Sequence, residues 1–136
     1  MAPATERVGE WPHLEDGTPI YRAYRNRSDF NRTTCAPQPK VFYRRSTERG
    51  LSVGLTKQAA LSVLRAEGLC QLLVGDVRAS LDPLDVIQDG REHAEIVGVR
   101  LLDENAEAAL RIARYLARVA VNLPLPNAGL VPGTIH

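Results

Sequence analysis

A small α+β fold is predicted, with a mixed or antiparallel sheet covered by two helices, the C-terminal one long and amphipathic. Three observations carry this. Short apolar runs rich in branched residues recur between turn signals, a helical period follows Thr56, and a longer helical period lies near the end of the chain. At 136 residues, 44% of them apolar, one domain with a sizeable core is expected. Its predicted limits are 19–123, between an irregular arm at 1–18 and an irregular tail at 124–136. Aromatics amount to only 5%, so aliphatic side chains and alanine must do most of the packing.

In Pro19–Tyr24, Ile20 alternates with Arg22 and Tyr24 on one face, and Tyr21 and Ala23 face the other way, as in a strand. The polar stretch from Asn26 to Pro39 reads as a loop. Lys40–Arg44 (KVFYR) reads as a second short strand, and Gly50 then turns the chain into Leu51–Val53. Thr56 is a predicted helix N-cap, with Ala60, Val63 and Leu64 on one face and Gly68 as the stop. Cys70–Arg78 is apolar and branched enough for a central strand. A crossover after the first helix would allow a parallel pair inside the sheet. Leu84–Ile87 and Ala94–Val99 flank Asp89-Gly90 and read as a hairpin. From about Glu104 to Asn122, Ala109, Ile112, Leu116 and Val119 or Ala120 form one stripe, opposite Arg111, Arg114 and Arg118. Glu107 stands four residues before Arg111 as a helical ion pair.

The formal net charge of +1 hides a division. Residues 20–50 hold eight basic and two acidic groups, a net of +6, whereas residues 76–107 hold nine acidic and three basic, a net of −6. Either the two halves form opposed surfaces, one able to gather anions, or they neutralise each other within the fold or across a subunit boundary. The near-neutral total argues against an extensive nucleic-acid footprint. No run approaches the roughly 18 apolar residues that span a bilayer. The start of the chain lacks the pattern of a secretory signal, so a soluble cytoplasmic protein without membrane contact is expected. Two cysteines and three scattered histidines offer neither a disulfide framework nor a zinc site. P-loop, GxGxxG and HExxH patterns are absent, which excludes the enzyme classes they mark.

The candidate chemistry rests on single residues. His93 opens a strand and shares a face with Glu95, an arrangement suited to orienting a substrate or moving a proton. Ser52 is a nucleophile if a base approaches it. Arg22 offers a planar fork of donors for phosphate or carboxylate, and Tyr24 a flat wall for a base. Each of these also reads as an ordinary half-exposed strand residue. An arginine in YRAY, a serine in LSV and a glutamate in HAEI, each on a successive strand, resemble the order in one branch of the ADP-ribosyltransferases. That resemblance implies Arg22, Ser52 and Glu95 as site residues.

The favoured expectation is a small interaction or ligand-binding module that engages a protein partner or copies of itself and needs no cofactor. The alternative is a nucleotide-dependent transferase or hydrolase resembling an ADP-ribosyltransferase. It would carry an arginine-lined pocket for an anionic small molecule, NAD being the cofactor under that alternative.

Overall fold

The structure is a computed structural model and describes residues 11–25, 29–33, 35–62 and 66–125. Six strands form one sheet: β1 (Pro19–Tyr24), β4 (Leu51–Gly54), β5 (Gly68–Leu73), β6 (Asp85–Gln88), β7 (His93–Val97) and β8 (Val121–Leu123). Two further strands, β2 (Phe30–Asn31) and β3 (Ala36–Pro37), make a separate ribbon. Among the described residues three α-helices accompany them: α1 (Lys57–Leu61), α2 (Val74–Arg78) and α3 (Ala106–Val119). The fold is α+β.

The sheet order is β6-β7-β4-β1-β5-β8, and every neighbouring pair is antiparallel. The parallel pair that the crossover would allow does not form among the described residues. The crossover through α1 does make β4 and β5 run in the same direction, but β1 lies between them. β1 pairs with β5 along its whole length, from Pro19 opposite Leu73 to Tyr24 opposite Gly68. With β4 it shares only the Tyr21–Gly54 pair.

One face of the sheet is the core face. Ile20, Tyr24, Leu51, Val53, Leu72, Ala94 and Ile96 are buried there and cluster with Ile112, Ala113 and Leu116 of α3. Each fully buried Leu or Ile stabilises the fold by about 1.5–3 kcal/mol. The other face carries Tyr21, Ala23, Ser52, His93 and Glu95, and α1 packs over part of it.

Several local expectations are corrected. Lys40–Arg44 is not a strand: Pro39 lacks the N–H a ladder needs and opens a 3-10 turn over Pro39–Phe42 that buries Val41 and Phe42. The Cys70–Arg78 strand stops at Leu73. The chain then coils into α2, whose first amides donate to the carbonyls of Thr18 (3.0 Å, from Val74) and Asp16 (2.8 Å, from Gly75). Thr56 does cap α1, accepting from the Ala59 amide at 3.0 Å. Val63 and Leu64, expected on that helix, lie outside the described residues, as do 1–10 of the arm and 126–136 of the tail. Gly68 does not end the helix. It opens β5, and a Cβ there would stand 2.0 Å from the Tyr24 ring.

Gly50 is required by crowding and not by unusual torsions: a Cβ would meet the Ile96 carbonyl oxygen at 2.6 Å. The Asp89-Gly90 turn does join two paired strands, β6 and β7. The long helix begins after an Asn105 cap, with Ala109, Ile112 and Leu116 buried and Arg111, Arg114 and Arg118 exposed. It ends at Val119, short of the expected Asn122, because residues 121–123 pair with the free edge of β5. Arg111 joins Asp82 through two bonds of 2.7 and 3.0 Å. Across the two charge segments, Arg44 pairs with Glu104 at 3.8 Å, and Arg78 meets Asp85 at 2.7 Å inside the acidic one. No described helix is long and apolar enough to cross a membrane.

Candidate functional site

The single Tyr21–Gly54 pair leaves a split between β1 and β4. Continued in register, the ladder would set Ala23 opposite Ser52, but the side chain of Arg22 takes that place. Its Nη1 donates to the Ser52 carbonyl at 2.6 Å and its Nε to the Val41 carbonyl at 2.7 Å. Val41 is available because the 3-10 turn lays its backbone beside β1. Among the described residues, these bonds engage Nε and Nη1 of the fork. Burial lowers the Arg22 pKa, and the charge of Glu48 partly opposes this. The result is a desolvated cation held between two carbonyl oxygens, a setting that a bound anion would stabilise.

A cleft of about 280 Å³ opens at the split. Ser52 and His93 line it, as do Arg22, Arg25, Arg45 and Glu48. A second cleft of about 330 Å³ shares Arg22, Ala23, Arg25 and Arg45 with the first and continues past Lys40, Val41 and Tyr43. Arg22 lines both clefts of one trough, whose walls also include the acidic Glu48 in the first and Asp29 in the second. Known small-molecule pockets span roughly 300–1,000 Å³, so the first cleft lies just below that range and the second at its lower end.

The hairpin of β6 and β7 brings a base to Ser52. Gly54 stands opposite His93, and Ser52 opposite Glu95, so all share the non-core face. Ser52 Oγ lies 2.5 Å from His93 Nε2. On the other side of the imidazole, Nδ1 lies 2.5 Å from Asp89 Oδ1. Asp89 and His93 are paired across the turn, with the Asp89 amide donating to the His93 carbonyl at 3.1 Å. The loop is held from beneath as well: the Leu55 amide donates to the Glu92 carbonyl at 2.8 Å, and Thr56 Oγ1 to Glu92 Oε1 at 3.2 Å. The helix-capping threonine thus also fixes the hairpin that carries the histidine.

Arg22, Ser52 and His93 meet at one cleft. Glu95 is adjacent in register to Ser52 and half-buried, but stands outside the cleft lining. Tyr24 is only 5% exposed, its ring in the core and its hydroxyl donating to Asn122 Oδ1 at 2.5 Å; it edges the second cleft. Burial pushes its pKa up to about 12. Sequence reasoning missed Asp89 and Arg45 as site residues. The D-G-R-E-H spacing was the signal for Asp89, since a tight turn returns the fifth residue to the first. Nothing in the residue order marked Arg45 above its neighbours. Among the described residues no group of three His, Cys, Asp or Glu is arranged to hold a metal ion. Comparison with protein-family models, with curated proteins and with solved structures found no match.

Proposed function

We propose that the trough at the β1–β4 split receives an anionic, nucleotide-like molecule, and that the protein is a transferase or hydrolase acting on it. The observation that carries this reading is the half-buried Arg22 fork, set in the same cleft as the hydrogen-bonded Ser52 and His93. Arg45 and Arg25 draw in the phosphate by charge, Arg22 orients it, and His93 or Glu95 moves a proton or stabilises developing charge. NAD is the cofactor this reading names, in line with the resemblance carried by Arg22, Ser52 and Glu95. A cytoplasmic setting, where nucleotides are abundant, goes with it.

Calorimetric titration with NAD, mononucleotides and short oligonucleotides tests the proposal on the wild type, Arg22→Ala, Arg45→Ala and Glu95→Ala. Binding to the wild type that weakens at least tenfold in both folded arginine variants is expected. Absence of wild-type binding to every one of these ligands contradicts it. Because Arg22 also supports the backbone, exposed Arg45 is the cleaner of the two variants.

A second reading keeps the interaction module. Leu81 is fully exposed beside a groove of about 480 Å³ that includes Arg111, Arg114, Tyr115 and Arg118 of α3. Asp82 and Glu107 line the same groove and Asp82 engages Arg111, so an exposed leucine beside mixed charges suits a second copy of the chain. Concentration-dependent assembly by light scattering, abolished by Leu81→Asp, is the expected result under this reading.

A further inference from the structure

We infer that Ser52 is an activated nucleophile, and that the protein cleaves a phosphoester or phosphoanhydride through a covalent phosphoserine-type intermediate at this residue. The inference rests on the reading of the trough as an anion site and adds the bond that is broken. A serine hydroxyl is a weak nucleophile unless a base takes its proton, and the base works best when a third group fixes its orientation. All three parts are present in Ser52, His93 and Asp89, linked by two contacts of 2.5 Å. With Nδ1–H donating to the Asp89 carboxylate, Nε2 is left as the acceptor for the Ser52 hydroxyl.

The chain order Ser52, Asp89, His93 follows from the fold. β4 supplies the nucleophile, and the neighbouring β6–β7 hairpin supplies Asp89 from its turn and His93 from the first position of β7. Arg22 selects phosphorus as the centre attacked. Its Nη1 is bonded to the backbone carbonyl of Ser52, and Arg22 lines the cleft that the Ser52 and His93 side chains also line. Arg25 and Arg45 line the same cleft and complete a basic surround for phosphoryl oxygens.

In the first step the Ser52 Oγ–P bond forms as the bond from phosphorus to the leaving oxygen breaks. The hydroxyl proton passes to His93 Nε2 and then to the leaving oxygen. In the second, a water oxygen attacks phosphorus and gives a proton to His93, while the Oγ–P bond breaks and Ser52 recovers its proton. The net reaction is hydrolysis, with no oxidant or reductant. His93 is the catalytic base, and Asp89 is a positioning residue.

A fluorophosphonate reagent, a phosphorus electrophile that traps activated serines, tests this by intact-mass and peptide mass spectrometry. One adduct at Ser52 is expected in the wild type and none in Ser52→Ala. His93→Gln should slow labelling at least a hundredfold. Asp89→Asn, at an exposed turn, should slow it at least tenfold, with Asp89→Glu recovering part of the rate. Circular dichroism checks that each variant is folded. An unlabelled wild type, an adduct on another residue, or equal labelling in Asp89→Asn and His93→Gln would overturn the inference. Nucleotide binding measured on the same samples separates the two readings: binding without labelling removes the nucleophile and leaves the anion trough standing.

Discussion

The two sides of β1 differ. Toward β5 it forms six consecutive pairs, and the side chains along that ladder close over α3 as a core. Toward β4 it forms one pair and then yields to a guanidinium, two clefts and a serine–histidine contact. The same strand thus builds the fold on one side and a binding opening on the other. The cause is local: an arginine stands where a third apolar residue would have continued the Ile20–Tyr24 face. Its fork takes the Ser52 carbonyl that backbone pairing would otherwise use.

This contrast can be broken most strongly on the ladder side. Leu72→Ala, at a fully buried β5 position, is expected to cost about 2–5 kcal/mol in urea unfolding, through lost burial and the cavity left behind. Ligand affinity of the remaining folded protein should be unchanged. Gly68→Ala forces a methyl against the Tyr24 ring and should cost about 1–3 kcal/mol by the same measurement.

On the split side the balance reverses. Arg22→Leu leaves the Val41 and Ser52 carbonyls without their donor, for about 1–3 kcal/mol of stability. Its larger effect should appear in calorimetry, as loss of anion binding. Tyr24→Phe, which removes the hydroxyl donated to Asn122, should cost about 0.5–1.5 kcal/mol by urea unfolding.

The smallest expected effect is electrostatic. The hydrogen bonds from Arg111 hold the Asp82 carboxyl below its ordinary range. A depressed folded-state pKa means that stability is fully present above the unfolded carboxylate pKa and lost as pH falls through the folded one. Thermal melts below about pH 4 should therefore fall less steeply in Asp82→Asn than in the wild type.

Much of the architecture was legible because local chemistry and tertiary demand agreed. Thr56 caps, Asp89-Gly90 turns, and the alternation of Ala94 and Ile96 with His93 and Glu95 all followed from residue type and period. The misread segments are those where a distant partner decided. KVFYR has strand propensity, but Pro39 and the burial of Phe42 against α3 coil it. The end of the C-terminal helix was set by the open edge of β5, which no helical period can reveal. For the site, Arg22, Ser52 and His93 could be picked out singly, whereas their meeting depends on β1, β4 and β7 being neighbours. Asp89 was read as a turn residue because its second role exists only when the hairpin closes.

An amide-resolved NMR titration with NAD tests the central claim most directly. Shifts concentrated at residues 21–23, 52–54 and 93, with the β5 and β8 amides still, are the predicted result. A response confined to α3 and the Leu81 groove, or none at millimolar NAD, would contradict it.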